Sequence, residues 1–218
     1  MLKNQESCRL LIVDLCHTLI AENTTKAFLD AWLLRDGWRQ RLRKTILGRK
    51  RPTFVLALRG LPKSFLYEQA DAYVRDRLAR LSNPEPLSAV VRAQSLGIPV
   101  YLATASLDPI AVAVTNQLKL DGAVYSRLGY DRHGRCTGLI ALNVAGKKLA
   151  HLRRMLPESQ LREAAVYTDN VEDVDILRTA QHPHFLGERG DLSKLSETEL
   201  ARITFHSKPL EGGLCATR

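Results

Sequence analysis

Four groups of polar residues, widely separated in the chain, have the side-chain types that phosphoryl transfer requires. They are Asp14; Thr104 with Ser106; Lys147 with Lys148; and Asp169 with Asp173. A carboxylate can attack an electrophile, a hydroxyl can hold a phosphate, a lysine can offset negative charge, and paired acids can bind a divalent metal ion. Each group also has a simpler interpretation, because an Asp can cap a turn and a Thr or Ser can begin a helix. A shared site therefore depends on whether the fold brings the four groups together.

The elements around these groups predict an α/β fold. The stretch that begins at Arg9 contains a short, branched apolar run that ends at Asp14, which is typical of a buried parallel strand. Further strands, separated by helical segments, are predicted at residues 98–103, 122–126, 164–168 and 184–186. Alternating strands and helices indicate a Rossmann-like parallel sheet, whose strands all present their carboxyl ends at one edge. Ligands bind at that edge, so we expect the four groups to converge there.

The region between the first two strands is too long for a simple crossover. Its helical pattern predicts a cap domain at residues 22–83, inserted after the first strand, which could exclude water and select substrates. Residues 1–21 and 84–205 would form the core domain. Residues 206–218 carry little pattern and are predicted to be a disordered tail.

Composition excludes several classes of protein. The chain has 218 residues, of which 45% are hydrophobic and 25% charged, and it is long enough for one α/β domain with an insert. Its four cysteines form no CxxC pair, which argues against a zinc cage or a disulfide framework. The N-terminus lacks the apolar segment of a signal peptide, and no stretch has the length of a membrane span. We therefore expect a cytoplasmic protein.

The net charge of +9 is concentrated in the predicted cap. Its basic cluster consists of Arg35, Arg39, Arg41, Arg43, Lys44, Arg49, Lys50 and Arg51. Such a cluster attracts anions, so a phosphorylated substrate and an anionic lipid or membrane surface are candidate partners, but it can equally be a solvated helix face. Nucleic acid is a weaker candidate, because no recognised binding motif accompanies the cluster.

In their order and spacing, these motifs resemble the haloacid dehalogenase superfamily, in its phosphoserine-phosphatase-like branch with a helical cap after the first strand. The family motif DxDxT appears as Asp14-Leu-Cys16-His-Thr18, the strand ending in Thr or Ser as residues 102–106, the lysine after a glycine as Gly146-Lys147-Lys148, and the DxxxD pair as Asp169 with Asp173. Residues 131–138 are similar to the hairpin that precedes the lysine in that branch. The resemblance extends over nearly the whole chain, to about Leu192.

The resemblance implies a nucleophile and a metal site. Asp14 would attack phosphorus, form an aspartyl-phosphate and also bind Mg²⁺. The backbone carbonyl of Cys16 and the carboxylate of Asp169 would complete the protein's share of the metal ligands. Asp173 would be a further ligand or would orient the others.

The resemblance also implies residues that bind the substrate. Thr104 would donate a hydrogen bond to a phosphoryl oxygen, with Ser106 as its alternative, and Thr18 would contribute to substrate binding. Lys148 would neutralise the charge of the nucleophile and the phosphate. Lys147 is the alternative for that role, because both lysines follow the glycine of the motif.

One position departs from the family's pattern. The second Asp of DxDxT is the family's general acid/base, and Cys16 stands in its place. A thiol has a pKa of about 8.5 and is a poor proton acceptor at neutral pH. Loss of a positioned general acid/base typically reduces the rate by about 10²–10⁴-fold. The adjacent His17 could substitute, although neighbouring residues of an extended turn point apart, and a substrate with a good leaving group would need less help.

Two functions from different classes follow. The first is a Mg²⁺-dependent phosphatase that acts through Asp14, with activity reduced by Cys16. The second is a catalytically weakened phosphate-binding or regulatory protein that docks on an anionic partner through its basic cap. Dehalogenation of a small haloacid shares the Asp nucleophile but accounts less well for the lysine, the hydroxyl and the Asp pair.

Overall fold

The computed structural model of the protein describes residues 8–33 and 55–207. The basic cluster of the predicted cap lies outside the described residues, and so do residues 208–218 of the predicted tail. None of the described helices has the length and hydrophobicity that a membrane span requires.

A mostly parallel sheet occupies the centre of the described part of the chain and confirms the predicted Rossmann-like α/β class. Its strands are β1 (Leu10–Val13), β2 (Val100–Leu107), β3 (Gly122–Tyr130), β4 (Cys136–Leu142), β5 (Ala164–Thr168), β6 (His182–Leu186) and β7 (Thr204–His206). The strand order is β4-β3-β2-β1-β5-β6-β7, and only β4 is antiparallel to its neighbour. The central strand β1 pairs with β2 and β5, so that Val13 is level with Leu102 and Tyr167.

Helices cover both faces of the sheet. They are α1 (Thr24–Ala27), α2 (Lys63–Leu81), α3 (Pro84–Ser95), α4 (Asp108–Gln117), α5 (Lys148–Leu152), α6 (Glu158–Arg162), α7 (Val174–Thr179) and α8 (Glu197–Leu200). A π-helical turn, Phe28–Leu33, continues α1, and 3₁₀ turns lie at Val55–Leu58, Val171–Asp173 and Arg189–Leu192.

The two faces of β1 enter two separate hydrophobic clusters. Leu11 and Val13 pack with residues of α2, α3 and α4, whereas Leu10 and Ile12 pack with residues of α5 and α7. This alternation explains why β1 reads as a continuous apolar run, since a central parallel strand is buried on both sides. The run ends at Asp14, a buried acid that directly follows the last residue of β1.

Three local predictions differ from the structure. The sequence predicts a break at residues 82–86, but helix α3 already begins at Pro84. Proline is tolerated in the first turn of a helix, because the backbone N–H that it lacks would make no hydrogen bond within the helix there. Strand β3 continues to Tyr130 and forms the predicted hairpin with β4. Residues 204–206, at the boundary of the predicted tail, form strand β7 because they pair with β6.

Helix α2, within the predicted cap, packs on the same core as the sheet. Its residues Leu66, Ala70 and Val74 are completely buried in the cluster that contains Val13. The buried carboxylate of Asp108, at the start of α4, accepts hydrogen bonds from Tyr67 of α2 (2.7 Å) and from Tyr130 of β3 (3.2 Å). The division into a cap and a core domain remains a prediction.

The segments that lead into and out of the predicted cap are hydrogen-bonded to each other. The amide of Ala21 donates to the carbonyl of Leu81 (2.9 Å), and the amide of Asn83 donates to the carbonyl of Leu19 (2.9 Å). Residues from both ends of the insertion therefore lie side by side, next to the turn that follows Asp14.

Candidate active site

The carboxyl ends of β1 and β5 place two acids next to each other. Asp14 directly follows β1, and its amide donates to the carbonyl of Tyr167 in β5 (2.9 Å). Asp169 directly follows β5 and is tied to the turn after β1, because its amide donates to Thr18 Oγ1 (3.0 Å), whose hydroxyl donates to Asp169 Oδ1 (3.2 Å). Thr18, predicted to bind substrate, thus orients Asp169 in this structure.

Lys148 lies between two carboxylates. Its ammonium is 3.1 Å from Asp14 Oδ1 and 2.7 Å from Asp173 Oδ2, and the residue is only 2% exposed. Thr168 Oγ1 also donates to Asp173 Oδ2, at 2.8 Å. Burial lowers the pKa of Lys148, but the two carboxylates outweigh burial and hold the pKa above its usual value. The lysine is therefore charged and fixed in place.

The structure distinguishes the two candidate lysines by burial. Lys148 is the first residue of α5 and points into the cluster of acids, whereas Lys147 precedes the helix and is exposed. His17, the candidate substitute for the missing acid, is half-buried and adopts a positive φ of 54°, which is uncommon for a non-glycine residue.

The group of acids carries more negative charge than Lys148 can balance. Burial raises the pKa of Asp14, and the nearby charge of Asp169 raises it further while Lys148 opposes the shift. Asp14 and Asp173 thus contact one ammonium, and Asp169 adds a third negative charge near Asp14. A hard divalent cation would relieve this repulsion, so the donor set fits Mg²⁺.

A metal ion at this edge would need ligands beyond side chains. Within residues 8–33 and 55–207, no group of three His, Cys, Asp or Glu side chains is arranged to hold a metal ion. Mg²⁺ commonly binds through one or two carboxylates and completes its shell with water and substrate phosphate. Asp14, Asp169 and the Cys16 carbonyl are compatible with that pattern, whereas the Oδ2 atom of Asp173 is occupied by Lys148 and Thr168.

Cys16 occupies a closed triangle of hydrogen bonds. Its Sγ atom lies 3.1 Å from Thr24 Oγ1 and 3.2 Å from Ser106 Oγ, and these two hydroxyl oxygens are 2.9 Å apart. Burial raises the pKa of the Cys16 thiol, and the charge of Asp14 raises it further. Ser106, predicted as the alternative phosphate ligand, contacts this thiol, and its amide donates to Thr104 Oγ1 (3.1 Å).

Sequence reasoning missed Thr168 and Thr24. Thr168 is the last residue of β5, directly before Asp169, so its position at a strand end was a usable signal. Thr24 had no such signal. It lies at the start of a short helix, and its contact with Ser106 joins residues that are distant in the sequence. The functional roles of the predicted site residues remain predictions.

Comparisons with known proteins agree with this architecture. A family model described as haloacid dehalogenase-like hydrolase matches residues 11–178. No curated protein matches the chain.

Among solved structures, a protein of unknown function from Bordetella pertussis Tohama I superposes with a TM-score of 0.70 and 18% identity, over 91% of this chain and 98% of that one. A phosphoserine phosphatase with an analogue of its phospho-aspartyl intermediate superposes with a TM-score of 0.60 and 17% identity, over 94% of this chain and 97% of that one. A substrate-bound phosphoserine phosphatase complex gives a TM-score of 0.59 and 17% identity, over 95% and 97% of the two chains. At these identities the similarity establishes a shared fold.

Proposed function

The chain belongs to the haloacid dehalogenase-like hydrolase family, and we propose that it is a Mg²⁺-dependent phosphatase in which Asp14 attacks the phosphorus of a small phosphorylated compound. The observation that carries the proposal is the buried contact between Lys148 and Asp14, at 3.1 Å, beside the carboxylate of Asp169. The solved phosphoserine phosphatases of the same fold support the choice of a phosphorylated substrate.

The arrangement gives each side chain a task. Lys148 favours the ionised form of Asp14 and orients it, so that a carboxylate oxygen is available to form a bond to phosphorus while the bond to the leaving oxygen breaks. Asp173 and Thr168 hold Lys148 in place. Thr104, buried within β2, would donate a hydrogen bond from its hydroxyl to a phosphoryl oxygen. Lys148 would also offset the charge of the bound phosphate.

Asp14, Asp169 and the backbone carbonyl of Cys16 would hold Mg²⁺. When bound, Mg²⁺ would neutralise charge on the phosphoryl oxygens. Thr18 would keep the carboxylate of Asp169 turned towards that site, through its two hydrogen bonds.

A second function is favoured by one residue. Cys16 places a thiol where the family's general acid/base stands, and Thr24 and Ser106 hold this thiol. If the thiol cannot move protons, the protein would bind phosphate and metal but turn over slowly, as a phosphate-binding or regulatory protein would. Its docking on an anionic partner would use the basic cluster, which lies outside the described residues.

Beryllium fluoride tests the proposed nucleophile, because it bonds to an aspartate oxygen in the geometry of a phosphoryl group. We expect beryllium fluoride and Mg²⁺ together to raise the melting temperature. The Asp14→Asn variant should lose this stabilisation, whereas Glu172→Gln, which changes an exposed acid near the site, should retain it. The absence of stabilisation in the unmodified chain would contradict the proposal. Stabilisation without turnover of any phosphate ester, anhydride or acyl phosphate would favour the second function.

A further inference from the structure

Cys16, Thr24 and Ser106 belong to three different segments of the chain, and each contacts the other two. The three distances in this triangle are 3.1 Å for Cys16–Thr24, 3.2 Å for Cys16–Ser106 and 2.9 Å for Thr24–Ser106. Thr24 is completely buried and Ser106 is 2% exposed, whereas Cys16 is half-buried. The contact between the two hydroxyls is therefore shielded from water. Because each group carries one proton, each can donate to one neighbour and accept from the other.

Thr24 is held from its other side by helix α2. The Tyr73 hydroxyl of α2 donates to Glu22 Oε1 (2.7 Å) and lies 3.2 Å from the Thr24 carbonyl oxygen. Tyr73 is completely buried, and Glu22 is also paired with Arg77, whose Nε atom is 2.7 Å from Glu22 Oε1. The Asn23 side chain accepts from the Lys26 amide (3.0 Å), which fixes the start of α1.

The neighbouring Thr25 shows that burial alone does not explain the placement of the Thr24 hydroxyl. Thr25 is only 5% exposed, yet its hydroxyl oxygen has no hydrogen-bond partner among the described residues. Of these two adjacent buried threonines, Thr24 is the one whose hydroxyl contacts Cys16 and Ser106.

We propose that Thr24 is a positioning residue of the candidate site. With Ser106, its hydroxyl fixes the Cys16 thiol two residues from the nucleophile, and Tyr73 couples this placement to helix α2. Helix α2 of the predicted cap region thereby controls a side chain next to the candidate nucleophile. Only the catalytic consequence of this placement rests on the proposed function.

The test measures the alkylation rate of Cys16 by iodoacetamide, followed for each cysteine by mass spectrometry. Thr24→Val keeps the shape of the side chain and removes a hydroxyl that can donate a hydrogen bond to the Cys16 thiolate, which is the form that iodoacetamide alkylates. We therefore expect the rate at Cys16 to fall about fivefold, the equivalent of one net hydrogen bond. Thr24→Ser restores the hydroxyl and should return the rate towards that of the unmodified chain. Thr25→Val removes a hydroxyl without a described partner and should leave the rate unchanged. The rate at Cys136 serves as an internal control for global opening.

The coupling to α2 is tested with Tyr73→Phe. This variant removes only the hydroxyl that donates to Glu22 and lies 3.2 Å from the Thr24 carbonyl oxygen. Because Thr24 then holds the Cys16 thiolate less well, we expect Cys16 to react several-fold more slowly. Tyr67→Phe is the matched control, because Tyr67 lies on the same helix and loses an equally short bond to a carboxylate, that of Asp108. Tyr67→Phe should not alter the rate at Cys16.

Kinetics with p-nitrophenyl phosphate then separate positioning from folding. We expect Thr24→Val to lower kcat with little change in KM, and Thr24→Ser to recover kcat. Unchanged Cys16 reactivity in Thr24→Val, Ser106→Ala and Tyr73→Phe would overturn the proposal, and so would an equal change of rate at Cys136. If Thr24→Val does not fold, the alkylation rates of Ser106→Ala and Tyr73→Phe test the same proposal. Absence of turnover in the unmodified chain would contradict the proposed function and leave the alkylation result standing.

Discussion

The Lys148 ammonium lies 2.7 Å from Asp173 Oδ2, and both residues are only 2% exposed. This contact holds the ammonium 3.1 Å from the second carboxylate, that of Asp14. Because buried charges are expensive unless they are paired, removal of one partner leaves an uncompensated charge in the interior. The same contact therefore keeps two buried charges paired and places the ammonium next to the candidate nucleophile, Asp14.

The first prediction is that Lys148→Met destabilises the protein strongly. The substitution leaves two buried carboxylates without their cation, and we expect the free energy of unfolding at pH 7.5 to fall by about 3–5 kcal/mol. The matched Lys147→Met variant changes an exposed side chain and should alter stability by about 0.5 kcal/mol or less. Urea denaturation of the three proteins measures both values. A larger loss for Lys147→Met would show that the lysines have been assigned in the wrong order.

Much of this site could be predicted because its residues follow apolar strands directly. Asp14 and Asp169 each stand where a buried run ends, and parallel strands bring such positions to one edge. The choice between Lys147 and Lys148 could not be made with the same certainty, since both follow a glycine and only the start of α5 decides which side chain is buried.

Other features depend on contacts between distant parts of the chain. Strand β7 has three residues and exists because it pairs with β6, so its own sequence carries too little pattern to predict it. Thr24 and Ser106 are 82 positions apart. The contact between their hydroxyls depends on the packing of α1 against β2. No local propensity encodes such a meeting.

The second prediction concerns metal binding at the paired carboxylates. Mg²⁺ should raise the melting temperature, because it relieves the repulsion between Asp14 and Asp169. At about 100 times its dissociation constant, a ligand that binds only the folded state adds about 2.7 kcal/mol. We expect Asp169→Asn to reduce the Mg²⁺-dependent shift and Glu172→Gln to retain it. Thermal unfolding over a Mg²⁺ titration makes the comparison, and equal shifts in both variants would rule out Asp169 as a ligand.

The third prediction is a loss of stability at acidic pH that originates from His184. Its ring stacks on Tyr167 with the centroids 4.2 Å apart, and its Nδ1 atom lies 3.0 Å from Nε2 of His206. Burial, together with the nearby His206 and His182, lowers the pKa of His184 from 6.5 to about 4. Glu85, at the start of α3, acts in the opposite direction on the pKa of His206.

Between pH 6.5 and 4 the unfolded chain therefore binds a proton at His184 that the folded chain does not bind. The stabilisation is complete above pH 6.5 and is lost as the pH falls towards 4. For this residue we expect a loss of about 2 kcal/mol between pH 7.5 and 5. His184→Phe keeps an aromatic ring against Tyr167 and should make the pH dependence shallower, whereas His133→Phe, at an exposed position, should not. Urea denaturation at several pH values measures the free energy of unfolding as a function of pH. An unchanged pH dependence in His184→Phe would contradict the assignment of this loss of stability to His184.

The fourth prediction is that Cys16→Asp restores a missing proton transfer. Thr24 and Ser106 lie within hydrogen-bond distance of position 16 and could equally contact a carboxylate there. We expect the unmodified chain to hydrolyse p-nitrophenyl phosphate much faster than alkyl phosphates, because only an alkoxide leaving group needs a strong proton donor. Cys16→Asp should raise turnover of alkyl phosphates by about 10²-fold or more.

Cys16→Asn is the control for that variant, since it matches the size of Asp and cannot transfer a proton. A gain in Cys16→Asp alone would identify the native protein as a phosphatase slowed at this step. Equal rates in the two variants would show that position 16 does not limit proton transfer. The reaction would then depend on another group at the carboxyl edge of the sheet, or on a leaving group that departs without a proton.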